Sequence, residues 1–149
     1  MEIDKEIKIS KFEDNYHKLT VNLTYTSGWL TNISREKFEE YNLTGQQFNI
    51  LRILRGQYPN ACTVNLLKER MLDKMSDASR IVDRLIQKGM VSRCTNKADR
   101  RAVDIRISEH GLETLSKLDN AFKPKDFLSA NLTEEEAGQL SDLLDKMRG

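Results

Sequence analysis

The sequence predicts a mainly α-helical fold carrying one small two-stranded β wing. Three observations support that expectation. Apolar residues recur at helical spacing through most of the 149-residue chain. Good capping residues stand in front of several of those runs. One stretch, NKADRRAVDIRI at 96–107, breaks the helical pattern: a polar turn leads into period-two alternation, with Val103, Ile105 and Ile107 on one side and Asp104 and Arg106 on the other.

Along the chain, residues 10–41 contain no Pro and a single Gly, Gly28, and Phe12, Tyr16, Leu19, Leu23, Leu30 and Ile33 recur at roughly helical spacing, so one or two long helices are expected. Thr44 with Gln47 three residues on forms a capping box for a helix whose stripe is Phe48, Leu51 and Leu54, and Pro59 stops it. Thr63 caps a short helix with Val64, Leu66, Leu67 and Met71 on its apolar side. Ser76 is the expected cap of SDASRIVDRLIQKG, which ends at Gly89, where a left-handed residue is wanted. Strands at 90–95 and 102–107 flank the basic turn. Ser108 caps a helix through about Ala121, and Pro124 interrupts or ends it. Thr133 and Glu136 form a second capping box, opening a last amphipathic helix through Leu140, Leu143, Leu144 and Met147. Two helices joined by a short turn, with a hairpin attached, make a winged helix-turn-helix.

Composition narrows the class of function. A hydrophobic fraction of 38% and a charged fraction of 32% suit a polar globular chain. No run of about 18 apolar residues is present, so no membrane contact is expected. The N-terminus MEIDKEIKISKFED is charged throughout and lacks the apolar core of a signal peptide, which places the expected location in the cytoplasm. Cys62 and Cys94 have no CxxC spacing. Cys94 falls on an expected strand as a small half-buried residue, and Cys62 is expected to be exposed beside the Tyr58-Pro59-Asn60 loop. His17 and His110 are far apart in sequence, so no metal site is expected. With no nucleotide-binding Gly loop and no Ser/His/Asp or Cys/His set, an enzyme is not expected and no cofactor is implied.

Charge is unevenly spread. Between Thr63 and Ile107, eleven Lys and Arg face six Asp and Glu, a local excess of five, so the rest of the chain carries −4 of the total +1. A basic middle between acidic ends suggests a polyanion surface. On a helical wheel over 76–88, Ala78, Ile81, Val82, Leu85 and Ile86 share a core side. Ser76, Arg80, Asp83, Arg84 and Gln87 fall opposite, with Asp77 and Ser79 at the edges near the N-terminal end. A helix entering a DNA groove needs this division: an apolar anchor, Arg for guanine edges or phosphates, and small hydroxyls for close approach. The acids Asp77 and Asp83 must then face base edges or pair with Arg80 and Arg84. An ordinary solvated face with i, i+3 pairs such as Asp77–Arg80 gives the same pattern. The basic turn adds weight to the DNA reading, because Lys97, Arg100 and Arg101 at a hairpin tip can reach an adjacent minor groove, with Asp99 orienting Arg101.

The pieces SRIVDRLIQKGMVSR and DRRAVDIRIS, together with a Gly early in the next helix, resemble in combination the DNA-binding region of the MarR family of bacterial transcription regulators. The resemblance runs from about residue 10 to 147 and is strongest over 44–111. It implies a sequence-specific regulator of double-stranded DNA, a homodimer that represses by binding pseudo-palindromic operators. It divides the chain into a dimerising region at 1–40, a winged helix-turn-helix at 41–109 and a second dimerising region at 110–149. The implied DNA contacts are Ser76, Asp77, Ser79, Arg80 and Arg84 on the recognition helix, Arg101 in the minor groove, and Lys97 and Arg100 on phosphates. Redox-sensing members carry a Cys near the start of the first helix, and here none precedes Cys62. The resemblance also implies release by a small, often phenolic or aromatic, effector. In NLTYTSGWLTN, Tyr25 and Trp29 sit among small residues, a composition that suits either a cavity wall or close helix packing. Tyr25, Trp29, Phe48 and Arg52 are the expected effector-pocket residues. The alternative is a winged-helix architectural or protein-interaction module without sequence preference.

Overall fold

The computed structural model of the chain describes residues 1–9 and 11–149. A short helix, α1 (Ile3–Glu6), precedes the long α2 (Asn15–Glu40). The expected start of that helix is early: Ser10 lies outside the described residues, Phe12 precedes the helix, and Asp14 caps it by accepting from the His17 amide. A single helix forms, because nothing along α2 supplies a break; Gly28 sits in open space on its surface. Next come α3 (Gly45–Gln57), α4 (Val64–Arg70) and α5 (Ala78–Gln87). The strands β1 (Val91–Thr95) and β2 (Val103–Ile107) pair antiparallel, Val91 opposite Ile107 and Thr95 opposite Val103. Helices α6 (Glu109–Ala121), α7 (Pro124–Leu128) and α8 (Glu134–Arg148) close the chain. Pro124 opens α7 as its first residue, where the missing N–H costs nothing.

Local chemistry explains most of these ends. Thr44–Gln47 and Thr133–Glu136 both form reciprocal capping boxes, and Thr63 and Ser108 accept from the amides of Leu66 and Gly111. Gly89 adopts φ +70°, and the Met90 amide reaches the Leu85 carbonyl while the Gly89 amide reaches Ile86. That is a Schellman termination, and it turns the chain directly into β1. One cap differs from expectation. Asp77, not Ser76, caps α5, its carboxylate accepting from the Arg80 amide at 3.1 Å. Ser76 is engaged elsewhere, donating to Asp73 Oδ2 at 2.8 Å.

The core gathers around the middle of the chain. Ile50, Leu51 and Leu54 of α3 meet Leu67, Met71, Ala78, Val82 and Leu85, closed over by Ile105 and Ile107 of β2 and by Leu115 and Leu118 of α6. Cys62 is buried in this core and forms a bridge with Ile105, each amide donating to the other's carbonyl at 2.8 Å. The expected exposures of the two cysteines are therefore reversed: Cys62 is buried because this third-strand contact draws it under β2, and Cys94 is exposed on β1, its Sγ accepting from Arg106 Nη1 at 3.6 Å. Burial raises the Cys62 thiol's pKa above its ordinary value, with Arg70 opposing. Gly111 packs so closely that a Cβ there would lie 2.5 Å from the Met90 carbonyl oxygen and 2.7 Å from Ile107. By contrast α8 buries no residue, and α2 buries only Phe38.

Candidate nucleic-acid interface

The turn from α4 into α5 is tied down by side chains. Asp73 accepts from Ser76 Oγ at 2.8 Å, from the Met75 amide at 3.0 Å and from Gln46 Nε2 at 3.2 Å, and Gln46 also donates to Ser76 Oγ at 2.9 Å. Asn49 of α3 accepts from the Leu72 amide at 3.0 Å. These bonds hold the Asp73 carboxyl below its ordinary pKa, the Ser76 hydroxyl contributing most, then the Met75 amide and Gln46. They also fix α5 at a set angle to α3. With Ala78, Ile81, Val82 and Leu85 inside, its outer face presents Ser79, Arg80, Asp83, Arg84 and Gln87 to solvent.

Along that face, Arg80, Asp83, Arg84 and Gln87 line an open cleft of about 460 Å³ together with Gln47 and Lys88. Lys88 donates to the buried Gln47 Oε1 at 2.9 Å and to the Asn42 carbonyl. Partial burial, and then the Arg84 charge, lower its pKa. Asp83 pairs with Arg93 of β1, 2.7 Å away, and so joins the helix to the base of the wing. The two acids thus do not pair with Arg80 and Arg84, contrary to one expectation from the sequence: Asp77 is spent on the cap and Asp83 on the wing.

The wing tip is a built loop. Asn96 Oδ1 accepts from the amides of Ala98 and Asp99 at 2.8 and 2.9 Å, and Asn96 Nδ2 donates to Asp104 Oδ1 at 2.9 Å. Asp99 Oδ1 accepts from the backbone N–H of Arg101 at 2.9 Å, so it sets the course of the chain at Arg101 and does not grip the guanidinium. Among the described residues, the side chains of Arg80, Arg84, Lys97, Arg100 and Arg101 form no ion pair and no hydrogen bond. Sequence reasoning passes over Asn96, Gln46, Asp73 and Arg93. The first is legible, since an Asn two residues before a turn amide is the signature of an Asx-turn. The others depend on contacts across the fold.

The four expected effector residues separate into two places. Tyr25 and Trp29 line a shallow cleft of about 150 Å³ with Met1, Ile3, Glu6, Asn22 and Thr26, and the Tyr25 hydroxyl donates to Glu6 Oε2 at 3.0 Å. That bond and the Glu6 charge raise the Tyr25 pKa. Phe48 instead stacks on Phe38, ring centres 4.5 Å apart, with the Arg52 guanidinium 5.7 Å from the Phe48 ring centre. Among the described residues no group of His, Cys, Asp and Glu is placed to hold a metal ion, and no helix is long and apolar enough to cross a membrane.

A helix-turn-helix whose second helix offers unpaired arginines, joined to a basic two-stranded wing, defines the winged helix-turn-helix class. A MarR family model matches residues 41–102, the segment that carries the helix-turn-helix and most of the wing. It is 28% identical over 113 residues to the transcriptional regulator PecS of Dickeya dadantii, covering 74% of this chain and 68% of PecS. It is 32% identical over 76 residues to the transcriptional repressor MdtR of Bacillus subtilis, covering 51% of this chain and 48% of MdtR. The fold is similar to that of a mutant MarR from E. coli complexed with operator DNA, with a TM-score of 0.79 and 24% identity, covering 93% of this chain and 99% of that one.

Proposed function

We propose that this protein is a sequence-specific transcription regulator that binds double-stranded operator DNA as a homodimer and represses. The observation that carries the reading is a set of five cations without a side-chain partner among the described residues, Arg80 and Arg84 on α5 and Lys97, Arg100 and Arg101 on the wing, while Asp77 caps α5, Asp83 pairs with Arg93 and Asp99 holds the wing backbone. Ser76, Asp77 and Ser79 stand at the N-terminal end of α5, where close approach to a phosphate is cheapest. Arg80 and Arg84 serve base edges, Arg101 the minor groove, and Lys97 and Arg100 the phosphates.

Dimerisation is assigned to residues 1–40 and 110–149, flanking a DNA-binding domain at 41–109. Support comes from uncovered apolar surface: Leu140, Leu143 and Met147 of α8 and Tyr16 and Leu19 of α2 are all exposed, and such a stripe on a soluble helix calls for a partner. A cytoplasmic location accords with the DNA reading. A small aromatic or phenolic effector that lowers DNA affinity fits the cleft at Tyr25 and Trp29 better than the region of Phe48, whose ring is already covered by Phe38 and Arg52.

The test is selection from random duplex DNA at physiological salt, wild type and Arg101→Ala in parallel. A near-palindromic motif that the variant enriches less strongly is the expected result. Binding that falls with salt yet ignores sequence would replace the regulator with an architectural module.

A further inference from the structure

An acid stands on the solvent-facing side of α5, among the arginines assigned to DNA in the proposed function. Asp83 lies one turn beyond Arg80 and next to Arg84, and its side chain is about half exposed (51%). A carboxylate there repels the phosphates that the surrounding arginines attract. As a stability device it is weak, because an exposed ion pair contributes little to folding. Its geometry is nevertheless specific: Arg93 of β1 holds Oδ1 at 2.7 Å, and Oδ2 has no partner among the described residues. One oxygen is anchored and the other is free to accept.

Resting on the DNA-binding reading, we infer that Asp83 is a specificity-determining residue that selects cytosine in each half-site. Hydrogen-bond donors decide which base a carboxylate accepts. In the major groove only the cytosine N4 and adenine N6 amino groups offer hydrogens. Guanine presents O6 and N7, thymine presents O4, and each is an acceptor that a carboxylate repels. Adenine places the N7 acceptor beside its amino group, so cytosine suits the carboxylate best. Arg93 makes this tolerable: it compensates part of the negative charge and fixes the rotamer from the wing side, leaving Oδ2 for the base. The neighbouring Arg80 and Arg84 then read guanine or phosphate on either side.

The experiment is the same random-duplex selection run on the full chain with wild type, Asp83→Ala and Asp83→Asn, completed by affinity measurements on the enriched duplex with each base substituted at the position of interest. Far-ultraviolet circular dichroism and thermal melting confirm that both variants fold, as expected for an exposed side chain. The expected result is a cytosine at a fixed position of each half-site for wild type. Asp83→Ala should lower discrimination there by about tenfold, the value of one well-placed base contact, with other positions unchanged. Asp83→Asn should move the preference towards adenine, because an amide both donates and accepts and so matches adenine N7 and N6. An unchanged base preference in both variants overturns the inference. So does an Asp83→Ala protein that binds every duplex more tightly by the same factor, which would make the acid a mere repulsive charge. If wild type enriches no motif, the proposed function fails along with this inference.

Discussion

On the proposed function, single residues divide the interface into groups that read and groups that hold. Among the described residues the Arg80 side chain has no partner, so on the proposed function Arg80→Ala should reduce discrimination at one base position by about 1–3 kcal/mol, whereas Arg100→Ala should weaken all duplexes alike and reduce the dependence of log K on log salt by about one. Titrations of matched and mismatched duplexes at several salt concentrations check both; identical profiles for the two variants would remove the distinction between them. Gly111 is a holding residue of the strictest kind. A methyl group there meets backbone at 2.5 Å, which cannot rotate away as a side chain would. Gly111→Ala should therefore destabilise by about 1–3 kcal/mol, the usual cost of overpacking, read as a lower denaturant midpoint. The sequence shows a Gly early in a helix, but only the approach of Met90 and Ile107 gives the reason for it.

At the scale of elements, the sequence carries most of the information wherever the signal is local. Thr44, Thr63, Ser108 and Thr133 each sit in front of an apolar run and each caps as expected, since the cap and its amide are three residues apart. The α5 cap lies one residue beyond the expected Ser76 because Ser76 and Asp77 are both good caps, and a contact from another helix decides between them: Gln46 and Asp73 claim the Ser76 hydroxyl. The same limit explains the cysteines, whose exposure depends on the Cys62–Ile105 bridge between segments far apart in sequence. Residue type alone points to the four effector residues, and it does not show that Phe48 turns to the core side of α3 to meet Phe38. The turn before α5 has a pH signature. A carboxyl with a lowered folded pKa stabilises fully above its unfolded value, about 3.9, and loses that contribution as the pH falls through the folded value. Asp73 is such a group. The melting temperature of wild type should thus exceed that of Asp73→Asn at neutral pH, and the gap should close below about pH 4. A gap that persists at low pH would assign the effect of Asp73 to something other than its charge.

For the whole molecule, the position of the core matters most. The buried cluster runs from Phe38 to Leu118, and nothing in α7 or α8 belongs to it. Among the described residues, α6 joins the helix-turn-helix through Leu115 and Leu118 and through the Arg55–Asp119 pair at 2.5 Å, while Phe127 of α7 rests on Trp29 of α2 and on Phe122. Truncation after Phe122 is therefore expected to leave a folded winged helix that sediments as a monomer and has lost high-affinity operator binding. A truncated chain that still sediments as a dimer would move the interface elsewhere. An uncovered α8 also has a consequence for how the molecule breathes. A helix with no buried side chain has little to resist local opening, so its amide protons should exchange with solvent quickly in dilute solution and slowly once a second chain lies over it. Deuterium uptake in Glu134–Arg148 would then depend on protein concentration, while uptake in α3 would not. The end of the chain would act as a gauge of how much of the protein is paired, and through that pairing, of how much is competent to hold both halves of an operator at once.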